Sequence, residues 1–366
     1  MGHFPFFPAV IKGRRRRSLA LPLGVLALLV GAAAPVFACG GLIGPNGAVN
    51  LLRTTTLAAY HDGIEHYVTA FQFAGGGGEF GSIVPLPDVP TDVVRGGDWT
   101  LQRLVLETDP PTVLRAVGQS FAEDAAGAEV LMTRRIDALD ITVLRGGAND
   151  VGRWATEHGF RLPPDAPEVL EFYASRSPIF MAAVFDADAA RERGQSIGDG
   201  TPVHITIPTE NPWVPLRILA LGRTAQERVE ADVYLLTDRA PAMLPMPGSV
   251  GASGLVLDHF APASELLLDD LRSDEGMQWV PDAAWLSKVR VDSDAPDLTF
   301  DLAIDASGLG QPSYVAAGLP APPGTIETID RSLIAWSLTM TLGLVAGVLA
   351  WSVLFRRPRT VDGHPA

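Results

Sequence analysis

Residues 54–73 read TTTLAAYHDGIEHYVTAFQF, the clearest local indication of structure in the chain. β-Branched and aromatic residues occupy both halves, and Asp62-Gly63 stands between them. An Asp-Gly pair between two such runs is a strong signal for a two-residue type I′ turn that joins antiparallel strands. The stretch therefore predicts a β-hairpin in which Ala59 lies opposite His66 and His61 lies opposite Ile64.

The rest of the chain combines further strands with short helices. Strands are predicted over EFGSIVPL (79–86), 140–147, 178–187, 203–209, VPLRILALG (214–222), 231–238 and 298–304. Helices are predicted over 99–107, 111–125, 151–158, 167–175, 264–274 and DAAWLSKV (282–289). Runs of strands with inserted helices are typical of an α+β fold, so we expect mixed, largely antiparallel sheets.

The N-terminal 38 residues have the pattern of a signal peptide. RRRR (14–17) precedes an apolar stretch, which ends in small residues before Cys39. We therefore expect an exported domain over 39–306, in two lobes that divide near residue 135. Glycine and proline dominate the segment that follows, which predicts a stalk over 307–331.

A second apolar segment lies near the C-terminus. LIAWSLTMTLGLVAGVLAWSVLF (333–355) carries no charge and is long enough to cross a bilayer as a helix. RRPR (356–359) follows it directly, and arginines collect on the cytoplasmic side of membranes. The sequence therefore predicts one transmembrane helix over 332–355, with residues 356–366 in the cytoplasm and the preceding domain outside the cell membrane.

Cys39 is the only cysteine, and it directly follows the leader. VFAC resembles a lipid-attachment box, although Phe37 fits that box poorly and a C-terminal membrane helix would make a lipid anchor redundant. We interpret Cys39 as lying at a plain signal-cleavage point, with lipid attachment to Cys39 as the alternative. One cysteine cannot form an internal disulfide.

Charge limits the partners that the chain can have. Of 28 Lys and Arg and 42 Asp and Glu, the leader and the tail hold eight basic residues and one acidic residue. Residues 39–331 thus keep 20 basic and 41 acidic residues, a net charge of −21. Such a surface repels phosphate backbones, which argues against nucleic acid. The expected partners are the lipid bilayer, through 332–355, and an envelope protein or polysaccharide.

His61, Asp62, Glu65 and His66 form the densest cluster of potential metal ligands. In the predicted hairpin both imidazoles lie on one face as diagonal neighbours. Zinc usually takes three or four protein ligands, and no third His or Cys is near in sequence. We interpret the cluster as a polar hairpin tip, with a metal site at His61 and His66 as the alternative. No catalytic residue and no cofactor are predicted, since neither G-x-S-x-G, S-x-x-K nor a phosphate-binding glycine pattern is present.

Several stretches in succession resemble one bacterial family. They are ACGG (38–41), HDGIEHYVTAFQF (61–73), FGSIVPLPDVP (80–90), DITVLRGGANDVGRWATEHGFRLP (140–163), PIFMAAVFDA (178–187) and TIPTENPWVPLRIL (206–219). The family is known as domain of unknown function 2330, and the resemblance extends from about residue 38 to 290. It implies export and frequent membrane anchoring, and it brings no reaction, cofactor or catalytic residue.

These observations together predict a membrane-anchored extracytoplasmic protein. The leading hypothesis is a binding or envelope-organising module without a catalytic site. The alternative is an envelope hydrolase that uses carboxylates or a weak metal site at the 61–66 hairpin.

Overall fold

A computed structural model describes residues 41–44, 47–49, 54–72, 80–109, 129–194, 200–249, 251, 254–308 and 310–323. The part of the chain up to Gly318 is one compact unit, and residues from Leu319 onward belong to another. The predicted signal peptide, Cys39 and the predicted transmembrane segment lie outside the described residues. None of the helices that are described is long and apolar enough to cross a membrane.

The strands come first, in chain order. They are β1 Gly41–Gly44, β2 Gly47–Val49, β3 Thr54–His61, β4 Ile64–Gln72, β5 Phe80–Leu86, β6 Asp92–Arg95, β7 Glu129–Ile136, β8 Leu139–Arg145, β9 Ile179–Phe185, β10 Gly200–Pro208, β11 Trp213–Val214, β12 Arg228–Thr237, β13 Ala242–Leu244, β14 Leu255–Pro262, β15 Trp285–Asp294 and β16 Leu302–Asp305.

Short helices are inserted between the strands. They are α1 Thr100–Thr108, α2 Ala148–Glu157, α3 Ala166–Ala174, α4 Ala187–Glu192, α5 Glu265–Ser273 and α6 Tyr314–Ala317, with 3-10 turns at Arg217–Ala220 and Ala295–Asp297.

The described strands form three sheets. The first has the order β2-β1-β5-β9-β8-β7, and the third has the order β11-β16-β13. The second, of seven strands, has the order β14-β15-β12-β3-β4-β10-β6, and in it β12 and β3 run parallel while all other neighbours are antiparallel. The expected α+β fold with mixed, largely antiparallel sheets is confirmed.

Helices α1 and α5 cover one face of the seven-stranded sheet. Both carry leucines at helical spacing, which places their apolar faces on the sheet. The core between helices and sheet contains Leu57, Val68, Leu101, Leu104, Tyr234, Leu236, Leu267, Leu268, Leu271, Met277, Val280 and Leu286. Burial of these side chains away from water is the main force that holds the two helices on the sheet.

Asp274, at the end of α5, ties the two covering helices together. Its buried carboxylate accepts hydrogen bonds from the backbone N–H of Asp98 and Trp99, both at 3.0 Å, and from Thr100 Oγ1 at 2.8 Å. These donors stand at the start of α1, where helical N–H groups have no partner within the helix. A Cβ at Gly97 would come within 2.3 Å of the Asp274 carboxylate, so the close approach requires glycine there.

Two segments differ from the sequence-based expectation. DAAWLSKV (282–289) was expected as a helix, but from Trp285 onward it belongs to strand β15. Backbone pairing with β12 on one side and β14 on the other holds this segment extended. VPLRILALG (214–222) was expected as a strand, but after Val214 it turns into a 3-10 helix. There the backbone N–H groups of Leu216 and Arg217 donate to the buried carboxylate of Asp301, a partner that no local pattern reveals.

Part of the predicted stalk belongs to the compact unit. Helix α6 lies within the 307–331 range, and Ser313 is its N-cap residue. Ala316 and Ala317 are buried, and the carbonyl of Ala317 accepts a hydrogen bond from the N–H of Asp301 at 3.0 Å.

Candidate functional site

The turn of the β3–β4 hairpin has the geometry that its sequence predicts. Asp62 and Gly63 have φ values of +50° and +79°, the left-handed pair that a type I′ turn requires. The register places Ala59 opposite His66 and His61 opposite Ile64, as expected. His61 and His66 therefore share the face of the sheet that α1 and α5 cover.

Strand β10 brings a second histidine to His66. In the register between β4 and β10, Thr206 lies opposite His66 and His204 lies opposite Val68, so the two imidazoles are diagonal neighbours on one face. The distance between His66 Nδ1 and His204 Nε2 is 2.9 Å, the length of a hydrogen bond. The two residues are 138 positions apart in the chain.

Trp279 completes the cluster from the segment that follows α5. Its neighbours Met277 and Val280 are buried in the core, and the backbone N–H of Val280 bonds the carbonyl of Met277 at 3.1 Å, which holds the segment in a tight turn. The indole stacks on His66 at 3.9 Å between ring centroids and 3° between planes, and it lies 5.1 Å from the His204 ring. We call His66, His204 and Trp279 the histidine–tryptophan site.

Burial keeps both imidazoles of this site uncharged. Burial, with smaller contributions in the same direction from the neighbouring His204 and His61, lowers the pKa of His66 to about 3. Burial also lowers the pKa of His204 to about 4, against a smaller opposing effect of the Asp92 carboxylate. At neutral pH the hydrogen bond between the rings thus joins two neutral groups, one of which donates while the other accepts.

The site is partly open to solvent, and it contains a hydrogen-bond donor that has no acceptor among the described residues. His66 and Trp279 are half-buried, whereas His204 is only 4% exposed. The indole N–H of Trp279 is buried and has no hydrogen-bond acceptor within the described part of the chain. On the rim, Val94 lies opposite His204 on the edge strand β6 and is 37% exposed.

His61 is engaged elsewhere at the hairpin tip. Its Nδ1 lies 2.6 Å from a carboxylate oxygen of Asp238, and its Nε2 lies 3.3 Å from the carboxylate of Asp62. The side chains of all three residues are substantially exposed. The hydrogen-bond partner of His66 is therefore His204, and the predicted metal pair of His61 and His66 remains a prediction.

Glu65 belongs to the opposite face of the same strand. It is wholly buried, and among the described residues neither carboxyl oxygen receives a hydrogen bond of ordinary length and angle. Burial raises its pKa to about 8, with a small opposing effect from the backbone N–H of Trp213. Tyr60 lies directly opposite on β3, and burial followed by the nearby Glu65 raises its pKa as well. Glu65 thus does not join the cluster that the sequence placed around the turn.

Sequence reasoning missed two members of the site. It found no third histidine near the hairpin because His204 reaches His66 only through the pairing of β4 with β10. Trp279 follows α5, and its position depends on the anchoring of Met277 and Val280. A lone histidine in the apolar strand VHITIP was the one available signal for His204. Within the described ranges, no group of three or more His, Cys, Asp or Glu side chains could hold a metal ion.

Comparison with known proteins gives one match in sequence and several weak matches in structure. A family model described as "uncharacterized protein conserved in bacteria" (DUF2330) matches residues 32–242, which include His66 and His204. No curated protein matches the chain.

The solved structures of baculovirus P35 are similar only at a low level. The crystal structure of P35 has a TM-score of 0.35 and 9% identity, and covers 70% of this chain and 92% of the P35 chain. A mutated P35 after caspase cleavage, at 3.1 Å resolution, has a TM-score of 0.37 and 7% identity, with coverages of 70% and 94%. At such values the likeness carries no argument for fold or function.

Proposed function

Since the chain belongs to the bacterial family of uncharacterized proteins DUF2330, we propose a function from its own residues: it is an extracytoplasmic binding module held at the cell membrane by a C-terminal helix. The histidine–tryptophan site is its binding site, and an envelope protein or polysaccharide is its partner.

The proposed location and topology rest on the two ends of the sequence. RRRR (14–17) and the apolar run behind it support export, and the uncharged segment 333–355 followed by RRPR supports a single pass with the tail inside. An exported domain with a net charge of −21 over 39–331 stays soluble outside the membrane and avoids anionic partners.

The binding role rests on one observation, the stack of His66, His204 and Trp279. The imidazoles are uncharged, the buried indole N–H has no acceptor among the described residues, and the half-buried rings of His66 and Trp279 offer a partner apolar contact beside these polar groups. Sites of this kind, apolar with a few placed polar groups, are typical of binding pockets.

The hydrolase alternative has less support. A general acid and a second catalytic group must reach the same substrate within hydrogen-bond distance. Glu65, the carboxyl group with the strongly raised pKa, is buried on the face of β4 opposite to His66. The two groups therefore cannot act on one substrate from one side of the sheet.

Site-specific photo-crosslinking in the envelope tests the binding role. Val94 is replaced by benzoylphenylalanine at the rim of the site, and Val130, 52% exposed on β7, receives the same replacement as the matched control. We expect a discrete adduct from position 94 that weakens several-fold when Trp279→Ala is added, and none from position 130. Equal adducts from both positions, or no adduct from position 94, would contradict the proposal.

Thiol labelling tests the address independently. In a Cys39→Ala background, Thr91→Cys places one thiol in the exported domain and Thr360→Cys places one in the tail. A membrane-impermeant maleimide should label the first variant in intact spheroplasts and the second only after permeabilisation. The reverse pattern, or equal labelling, would overturn the proposed orientation.

A further inference from the structure

Lys288 on β15 carries a buried amine that lies between two carboxyl groups. Its side chain is 1% exposed, and its Nζ is within hydrogen-bond distance of Asp109 Oδ2. Asp232 Oδ1 lies 3.5 Å from the same nitrogen, on a side chain that is 7% exposed. The centroid of the Tyr234 ring is 5.8 Å away. An amine, a carboxyl group that it can attack and a second carboxyl group thus meet at one point of the sheet.

Lysine at this position contrasts with the composition of the chain. The sequence contains 26 arginines and two lysines, and the other lysine, Lys12, lies in the predicted signal peptide. Ion pairs elsewhere use arginine, as at Arg103, Arg176 and Arg290. A guanidinium stays protonated and cannot act as a nucleophile, whereas an amine that has given up its proton can attack a carboxyl carbon. The only lysine of the predicted exported domain therefore stands where its chemistry differs most from that of arginine.

We propose that Lys288 Nζ and Asp109 Cγ form an intramolecular isopeptide bond, with Asp232 as the group that relays protons. The ammonium gives a proton to Asp232, and the neutral amine attacks Cγ. The C–N bond forms, and the bond from Cγ to one carboxyl oxygen breaks. Two protons from the nitrogen reach this oxygen through Asp232, and it leaves as water. An ammonium and a carboxylate thus become a neutral amide and one water, and no co-reactant is consumed.

Neighbouring contacts hold both reacting groups in place. The N–H of Asp109 donates to the carbonyl of Val105 at 2.8 Å. Thr108 Oγ1 and the hydroxyl of Tyr234 share a hydrogen bond of 3.0 Å, which fixes the end of α1 on β12. Lys288 is fixed by the pairing of β15 with β12 and β14. Well-oriented intramolecular groups reach effective concentrations of about 10⁵–10⁸ M, which offsets the excess of water that opposes amide formation.

The bond gives the domain a covalent link of a kind that its cysteine content does not allow. Cys39 is the only cysteine of the chain, so no internal disulfide can form. Asp109 and Lys288 are 179 positions apart. A link that closes so long a loop restricts the unfolded chain and so stabilises the folded one. The inference is independent of the histidine–tryptophan site and of its proposed partner.

Peptide mass spectrometry of the full-length protein, purified in detergent, tests the proposal. Trypsin should release one branched peptide in which residues 104–115 are joined to residues 273–290, because an acylated lysine is not cleaved. Its mass should be that of the two peptides less one water. Lys288→Arg should instead give 104–115 and 273–288 as separate peptides.

Two further variants test the role of the second carboxyl group. Asp232→Asn preserves the size of the side chain but cannot relay protons, so most of this variant should remain unlinked. Asp258→Asn is the matched control, since Asp258 contacts Arg290 on the same strand, and it should stay linked as the wild type does. A link that is equally complete in Asp232→Asn would overturn the relay.

Mild acid gives a second measurement on the denatured chain, so it does not depend on the folding of a variant. Asp109-Pro110 is the only Asp-Pro bond in the sequence, and acid cleaves such bonds through the free aspartate carboxyl group. The wild type should stay one covalent chain, whereas Lys288→Arg should be cut into two fragments. Separate 104–115 and 273–288 peptides from the wild type, or its cleavage into two fragments by acid, would show that Lys288 and Asp109 form only an ion pair.

Discussion

His66 and Glu65 are adjacent residues whose pKa values burial shifts in opposite directions. Both are held uncharged at pH 7, the imidazole by a lowered pKa and the carboxyl group by a raised one. As pH falls below about 6.5, His66 and His204 become protonated in the unfolded chain but stay neutral in the folded protein. The free energy of unfolding therefore decreases as pH is lowered. As pH rises above 4.5, the unfolded chain gives up a proton that Glu65 keeps until about pH 8, so stability is also lost toward base.

We predict that Glu65→Gln stabilises the protein at neutral pH. Between pH 4.5 and 8, the buried carboxyl group lowers the free energy of unfolding by about 1.4 kcal/mol for each pH unit, which amounts to about 3 kcal/mol at pH 7. An amide does not titrate, so the variant avoids this loss. Urea unfolding at pH 5 and pH 7 measures the free energy of unfolding, with the exposed Glu210→Gln as the control. An equal effect of Glu65→Gln at both pH values would show that Glu65 is ionised in the folded protein.

For single residues, the sequence identified Glu65 and His66 as neighbours but gave little information about what surrounds each side chain in the fold. Glu65 and His66 were found as neighbours at a turn, and the alternation of side chains in a strand is enough to put them on opposite faces. That Glu65 is buried and that His204 meets His66 depends on which strands pair with β4, and those partners are distant in the chain.

Among the elements, the β3–β4 hairpin is the one that local sequence determines most completely. Asp62-Gly63 sets the turn, and the turn then sets the register of both strands. Strand β15 shows the opposite case. Its residue Lys288 is buried beside Asp232 and Asp109, and only the pairing with β12 brings Asp232 there. Without that partner, DAAWLSKV has the composition of a helix.

The link between α1 and α5 has a predicted energetic weight. Asp274→Ala leaves the N–H groups of Asp98 and Trp99 without their acceptor, and we expect it to lower the free energy of unfolding by about 3 kcal/mol. Asp282→Ala removes only an exposed ion pair with Arg272 and should change it by less than about 0.5 kcal/mol. Chemical denaturation compares the two variants, and equal losses would refute a special role for Asp274.

For the whole molecule, the proposed membrane location and the fold are supported by different parts of the chain. The compact unit up to Gly318 is described in three sheets with two covering helices, and the class of this fold was predictable because strands and helices alternate visibly in the sequence. The sheet order was not predictable, since it joins strands as distant as β3 and β12. The predicted signal peptide and the predicted anchor rest on composition alone, and they are the basis of the proposed membrane location.

The anchor predicts how Cys39 behaves. If residues 332–355 hold the protein in the membrane, Cys39→Ala should stay in the membrane fraction after carbonate extraction. Immunoblotting of soluble and membrane fractions measures this, and a variant that lacks 332–366 is the control that should become soluble. Release of Cys39→Ala into the soluble fraction would make lipid attachment the true anchor.

The proposed binding site depends on His66 and His204 forming an uncharged, mutually hydrogen-bonded pair beside Trp279. Nitrogen NMR of the imidazoles, followed from pH 7.5 to pH 5 and assigned with His66→Phe and His204→Phe, measures this directly. The structure predicts that both rings keep the nitrogen shifts of neutral imidazole down to pH 5, because their pKa values lie near 3 and 4. Titration of either ring with a midpoint near that of a free imidazole, about 6.5, would contradict the account.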